Sequence, residues 1–263
     1  MRVGILTGSG SYRWPSLIDA STTSVSTRFG DVEVTDGKLG DVEVVHVPRH
    51  GARHARLSHQ VAHRANLTAI IDRGVDFVIS VTVCGAVDPA VELGAVIVFD
   101  DLYFPANRLP DGSPCTWHDT PAAPGRGHWI FDTPFSEPLR QHAIDAASTL
   151  NLPVIGHGCY GHLDGPRFNS RSEIAALARA GVTAVSQTAG PEVVLAGEAE
   201  VPILLLGYLT DYANGVGSAP EPVEALISRM HASTDVFARV VDATVGRVAQ
   251  LPPAAGTNYR FDT

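Results

Sequence analysis

Phe77-Val78-Ile79-Ser80-Val81-Thr82-Val83 runs into Cys84-Gly85-Ala86, and this stretch of residues 77–86 decides the fold class. Apolar residues fill its first part almost without a break. A strand with one face in water alternates apolar and polar residues, so a continuous run requires cover on both faces. Val96 to Phe99 reads the same way. Outward from these two, Val3 to Thr7, Val42 to Val47, Val154 to Tyr160, Val182 to Ser186 and Ile203 to Leu209 read as further strands. Between them Ser58 to Arg73 (with Ser58 as cap), Pro138 to Leu150, Ser170 to Ala180 and Pro191 to Glu200 read as helices. Pro222 to Ala249 reads as one long closing helix. Strands alternating with helices imply an α/β fold, a single domain over residues 1–263 with a central mixed β-sheet flanked by helices. Residues 105–127 read as an excursion loop, and the tail 252–263, without periodic pattern, as a loose end.

The bulk numbers narrow the function classes. With 28 acidic and 19 basic residues the chain carries −9 at pH 7, a field that repels phosphate backbones and anionic lipid. Nucleic acid and membrane are therefore not expected as partners, and an anionic substrate must be captured by a few placed donors. Three unpaired cysteines, Cys84, Cys115 and Cys159, fit a reducing compartment. The short apolar start gives no signal peptide and no run reaches 18 apolar residues, so the expected location is the cytoplasm.

Ligands of such folds gather at the carboxyl ends of strands, where Gly, Ser and Thr expose backbone donors. Four strand ends carry that composition: Thr7-Gly8-Ser9-Gly10-Ser11, Pro48-Arg49-His50-Gly51, Thr82-Val83-Cys84-Gly85-Ala86 and Ser186-Gln187-Thr188-Ala189-Gly190. Together they offer hydroxyls, backbone N–H groups, one Arg, one His and a nearby helix start, the inventory of an oxyanion site. Each loop alone also reads as an ordinary turn. Asp211, at a fifth strand end, reads either as a carboxylate that holds a proton for a leaving group or as a turn or cap residue. Phe168 reads either as a stacking surface or as core packing.

His46, His50, His54, His59 and His63 fall within 18 residues, and His59 and His63 are four apart on the expected helix. That spacing can ligate zinc, but no Glu lies between them and no downstream ligand set completes a sphere, so no metal is expected. Cys84 reads as a buried thiol before it reads as a nucleophile.

The ordered segments Gly8-Ser9-Gly10, Arg49-His50-Gly51-Ala52-Arg53-His54, His63-Arg64-Ala65-Asn66-Leu67, Thr82-Val83-Cys84-Gly85-Ala86, Asp164-Gly165-Pro166-Arg167-Phe168, Pro191-Glu192-Val193-Val194-Leu195-Ala196 and Thr210-Asp211-Tyr212 carry a family resemblance. The chain resembles the methylthioadenosine phosphorylase branch of the trimeric purine nucleoside phosphorylases, from residue 3 to about residue 212. The resemblance implies a phosphate site of Ser9, Arg49, His50, Thr82, Val83 and Thr188, with His54 beside it. It implies a nucleoside pocket of Cys84, Gly85, Phe168, Gln187 and Asp211, with Val223, Leu226 or Ile227 lent by the last helix. His128 resembles the family histidine that reaches the 5′ substituent in a neighbouring subunit of a homotrimer, whose active site lies at the subunit interface. The implied reaction is phosphorolysis of a purine nucleoside, a 5′-modified adenosine first, with inorganic phosphate as co-substrate, no metal and no organic cofactor. Phosphate needs positioning more than deprotonation, and Asp211 would meet N7 of the departing base.

Three positions depart from the family pattern. Gln187 stands where the ribose-facing residue is usually Met, and it is expected to bond a sugar hydroxyl or phosphate oxygen. Asp211-Tyr212-Ala213 stands where the adenosine-preferring branch has a second Asp, and Ala189-Gly190 replaces a bulkier pair. A 6-oxopurine or methylthioinosine phosphorylase, a nucleoside hydrolase and a non-catalytic nucleoside-binding homologue therefore remain as alternative readings.

Overall fold

The computed structural model describes residues 1–9, 11–122, 124–217 and 221–261. Gly10 of the first glycine-rich loop and the last two residues of the tail lie outside them. In chain order the strands are β1 (Arg2–Thr7), β2 (Ile18–Thr27), β3 (Gly30–Leu39), β4 (Val42–Pro48), β5 (Phe77–Ala86), β6 (Val96–Val98) and β7 (Asp101–Tyr103). They continue with β8 (Gly127–Ile130), β9 (Val154–Ile155), β10 (Cys159–His162), β11 (Val182–Ser186), β12 (Ile203–Tyr212) and β13 (Thr257–Arg260). The helices are α1 (His63–Ile71), α2 (Glu137–Thr149), α3 (Arg171–Arg179), α4 (Ala189–Glu198) and α5 (Val223–Val245).

β5 is the pivot of a mixed 11-stranded sheet. It pairs in parallel with β1 and β12, and its last residues pair antiparallel with β11. The continuous apolar run follows from this position. Phe77, Ile79 and Val81 face the cluster that holds α2 and α5, while Val78, Cys84 and Ala86 face the one that holds α1 and α4. Successive side chains of a strand point to opposite faces, so a strand covered on both sides needs apolar residues at nearly every position. Ser80 breaks the run on the α4 side, where it is fully buried and hydrogen-bonded. The parallel β4–β1–β5–β12 core sets the carboxyl ends of these strands side by side.

Four expectations are corrected. Ser58 caps no long helix: Ser58–Gln60 is an isolated 3₁₀ turn, Val61 is extended and α1 begins at His63. The Ser58 hydroxyl is spent on Gln187 instead, and His59 and His63 share no helix. The run Val154 to Tyr160 is two strands, because β9 pairs with β6 whereas β10 pairs with β11 and β7. The hairpin β2–β3, exposed along much of its length and rich in Thr and Ser, escaped the sequence reading because it lacks an apolar run.

The tail is the fourth correction. β13 pairs antiparallel with β8, Trp129 Nε1 donates to the Ala255 carbonyl at 2.9 Å, and Asn258 Nδ2 donates to the Gly197 carbonyl at 3.1 Å. Arg260 forms an ion pair with Glu200. A four-residue strand carries little signal without its partner, and β8 emerges from the excursion loop. At Gly127 the two strands approach so closely that a Cβ would sit 2.2 Å from the Tyr259 carbonyl oxygen. We expect Gly127→Ala to destabilise by about 1–3 kcal/mol, as overpacking does. Gly246→Ala, where a Cβ finds only ordinary contacts at 3.5 Å and beyond, is the control; thermal unfolding of the two variants checks it.

Candidate active site

The strand ends surround one cavity of about 310 Å³, lined among others by Gly8, Ser9, Arg49, His50, Thr82 and Val83 at one end. Cys84, Gly85, Phe168, Asp211, Ala213 and Leu226 line the cavity as well, as do Gln187 and Thr188, and the close approach of the Asp211 carboxyl to Gly85 marks a second end. His54 also reaches the cavity. The structure thus brings together all of the expected phosphate-site residues and five of the nucleoside-pocket residues, with Leu226 from α5. It leaves His128, Val223 and Ile227 outside the lining of this cavity. His128 sits on β8 with its ring edge-on to Phe261, 5.2 Å between centroids.

Arg49 follows β4 and is wholly buried. Its Nε and Nη2 donate to the two carboxylate oxygens of Glu192 at 2.7 and 2.8 Å. Nη2 also donates to Ser80 Oγ at 2.7 Å, and Nη1 donates to the Val81 carbonyl at 2.8 Å. The guanidinium therefore enters the site already paired, and among the described residues four of its five N–H groups have protein acceptors, the second on Nη1 being the fifth. Burial pushes the Glu192 carboxyl up, but the Arg49 charge and hydrogen bonds outweigh it and hold the group below its ordinary value. Glu192 is the main site residue that the sequence reading did not single out. The signal is a carboxylate in the first turn of a helix followed by an unbroken apolar run, Pro191-Glu192-Val193-Val194-Leu195-Ala196.

His50 Nδ1 lies 2.9 Å from the Arg56 carbonyl, which can only accept, so Nδ1 carries the proton and Nε2 is the acceptor. Burial first, then the Arg49 charge, lower its pKa to about 4, so the ring is neutral at pH 7. Its face stacks on His54 at 4.2 Å, and His54 Nδ1 meets the Tyr12 hydroxyl at 2.9 Å. Thr82 Oγ1 is 3.0 Å from Ser186 Oγ. Thr188 caps α4 in position only, for its hydroxyl makes no capping bond. The first N–H groups of α4 are taken by protein: Ala189 N donates to the Tyr160 hydroxyl at 3.1 Å and Gly190 N to His162 Nδ1 at 3.4 Å. The helix start thus offers its dipole more than its amides.

At the far end, the register of β12 against β5 shifts between Leu209 and Asp211, and this bulge turns Asp211 toward Gly85. Thr210 Oγ1 donates to Asp211 Oδ1 at 2.7 Å. Burial raises the Asp211 pKa; Glu221 adds to the rise, while the Thr210 hydroxyl and Arg229 oppose it. Asp211 is thus a carboxyl that keeps a proton more readily than a free one. Burial pushes the Cys84 thiol up as well, with Asp211 adding, so it is no thiolate nucleophile. Phe168 stays 64% exposed, a ring at the cavity mouth rather than a core residue.

The amide of Gln187 is engaged by protein. Ser58 Oγ donates to its Oε1 at 2.8 Å, and its Nε2 donates to the Arg167 carbonyl at 3.0 Å. These two bonds tie the amide between the cavity-lining Ser58 turn and the loop before α3, and its second N–H and second lone pair are the groups left for the expected bond to a sugar hydroxyl or phosphate oxygen. The clustered histidines differ in their surroundings: His46 Nε2 meets Thr7 Oγ1 at 2.8 Å, while His63 Nδ1 is buried 3.8 Å from Glu192 with no hydrogen bond among the described residues.

Residues 2–246 match the Phosphorylase superfamily. A 6-oxopurine nucleoside phosphorylase of Pyrococcus furiosus is 30% identical over 93% of this chain and 92% of its own. An S-methyl-5′-thioadenosine phosphorylase of Mycobacterium tuberculosis is 33% identical over 94% and 89%. A methylthioadenosine phosphorylase from Schistosoma mansoni, solved with tubercidin, superposes with TM-score 0.83 at 25% identity, over 94% of this chain and 91% of that one. The fold and the cavity at the strand ends are those of an α/β enzyme. The chain belongs to the phosphorylase superfamily.

Two predictions follow from the site's buried charges. Glu192→Gln leaves the Arg49 cation uncompensated and is expected to destabilise by about 3–5 kcal/mol, read from urea unfolding. His46 and His63 have pKa values lowered to about 4 and His162 to about 3, each by burial. Their unfolded forms bind protons from pH 6.5 downward while the folded ones do not. Stability is then full above pH 6.5 and falls by about 1.4 kcal/mol per pH unit for each such group as pH drops toward 4, checked by urea midpoints at pH 7 and pH 5.

Proposed function

We propose that this chain cleaves the N-glycosidic bond of a purine nucleoside with inorganic phosphate, giving the free base and a ribose 1-phosphate. The observation that carries the reading is one cavity whose lining joins the hydroxyls of Ser9, Thr82 and Thr188, Arg49 and His50 to the buried carboxyl of Asp211. Ser9, Thr82, Thr188 and the backbone at Val83 supply neutral donors for phosphate, and Arg49 supplies its remaining N–H. His50 Nε2, as an acceptor, takes a hydrogen bond from the P–OH of hydrogen phosphate. Phosphate oxygen forms the new bond to C1′ as the bond to N9 breaks, and its charge favours the oxocarbenium character of the transition state. The departing pair flows into the purine, and Asp211 donates a proton or hydrogen bond at N7. The proton of hydrogen phosphate ends, in net terms, on the base.

A 6-amino purine with a modified 5′ position is the preferred substrate. Asp211 accepts from an exocyclic amine when ionised and donates to N7 when protonated, whereas Ala213 offers the base edge no polar group. A 6-oxopurine is the second reading, supported by the relatives named for that activity. Catalysis would take place in a homotrimer, with His128 reaching a neighbour's 5′ pocket. Ile130, Phe131, Tyr259 and Phe261 are exposed around it, an apolar surface suited to burial against a second copy. Free thiols at Cys84, Cys115 and Cys159 suit the cytoplasm.

The test is base release from methylthioadenosine, methylthioinosine, adenosine and inosine, with and without phosphate. Phosphate-dependent adenine release, fastest from methylthioadenosine, is expected; turnover that ignores phosphate would sink the phosphorolytic reading. Asp211→Ala is expected to lower kcat/KM by about 10²–10⁴, the range for a lost general acid. Asp211→Asn is expected to lose less on the 6-oxo substrates than on the 6-amino ones.

A further inference from the structure

Gln187 stands at the end of β11, and its amide joins two segments that meet the cavity from different parts of the chain. One is the Leu57-Ser58 turn between β4 and α1; the other is the Pro166-Arg167-Phe168 loop between β10 and α3. Both segments and Gln187 line the cavity. The junction is tight: a Cβ on Gly165 would lie 2.1 Å from both Gln187 Oε1 and Ser58 Oγ. Elsewhere the second loop is tied at its two ends, by Leu163 N to the Ser186 carbonyl at 3.1 Å and by Asn214 Nδ2 to the Asn169 carbonyl at 2.7 Å. Arg167 itself pairs with Glu173 on α3. Among the described residues, the Gln187 amide is the side-chain tie between this loop and the Ser58 turn.

We propose that Gln187, with Ser58, is a latch that fixes the Phe168 loop over the nucleoside end of the cavity, a positioning residue for substrate binding rather than a contact to the sugar. The proposal rests on the phosphorolytic reading for its kinetic consequence but not for its structural one. An amide with Oε1 and Nε2 each engaged by protein holds two loops at once, and Phe168, at the loop's tip, is the ring whose placement depends on it. Removing either hydrogen bond loosens the junction of the two segments between the loop's tied ends, without removing a phosphate donor.

The experiment compares wild type with Gln187→Met, Ser58→Ala and Ser58→Thr. The latch predicts that Ser58→Ala, which removes one of the two hydrogen bonds, raises the nucleoside KM by about three- to tenfold, and that Gln187→Met, which removes both, raises it at least as far, with kcat and the phosphate KM little changed. Ser58→Thr, which keeps the hydroxyl, restores wild-type behaviour. The two loss variants are also cut faster by trypsin at the Arg167–Phe168 bond, a readout that needs no turnover and so stands if the phosphorolytic reading fails. A direct sugar contact gives the opposite pattern. Gln187→Met alone would then lose discrimination between complete and 2′- or 3′-deoxy nucleosides, with Ser58→Ala like wild type and tryptic cleavage unchanged, and that result overturns the latch.

Discussion

A guanidinium with no access to water must find its counter-charge inside the protein, and the Arg49–Glu192 pair meets that demand at the centre of the fold. It joins the end of β4, the middle of β5 through Ser80 and Val81, and the first turn of α4 in one hydrogen-bonded unit. These elements are far apart in sequence, so the pair fixes their relative depth as well as compensating a charge. The cavity is built on top of it. Because Arg49 arrives paired, this end of the cavity is close to electrically neutral: a compensated guanidinium, a neutral His50 and several hydroxyls. Donors of this kind act by geometry more than by field, in a chain whose overall charge of −9 repels anions.

The two ends of the cavity use burial in opposite ways. At the oxyanion end burial strips His50 of its proton, helped by the adjacent Arg49, and makes it an acceptor. At the base end burial makes Asp211 hold a proton more strongly. Desolvation disfavours the charged form of both, and that turns a base into an acceptor and an acid into a donor. The β12 bulge and the donation from Thr210 aim the carboxyl; its proton affinity follows from where it is aimed.

Helices on both faces of the sheet keep this arrangement rigid, while the rim is made of loops. The Ser58 turn, the Phe168 loop and the start of α5 bring Leu57, Phe168 and Leu226 to the cavity, and none of these belongs to the sheet core. The division suits a superfamily with relatives named for different purine nucleosides, since the sheet can stay unchanged while the rim differs.

The sequence by itself determined the α/β class, the buried strands and the strand-end residues, because a strand covered on both faces leaves a continuous apolar run and a turn beside a ligand needs small residues. Ser9, Arg49, His50, Thr82, Thr188 and Asp211 were legible in that way, as residue types at strand ends. Tertiary structure alone decided their partners. Nothing local shows that Arg49 is paired to a carboxylate 143 positions away, or that the Ser58 hydroxyl goes to Gln187, 129 positions on, instead of capping a helix. It also decided that the tail is a strand, since β13 has no apolar run and exists only as the complement of β8. Periodicity records which face of an element is buried, and it carries no record of which distant group meets that face.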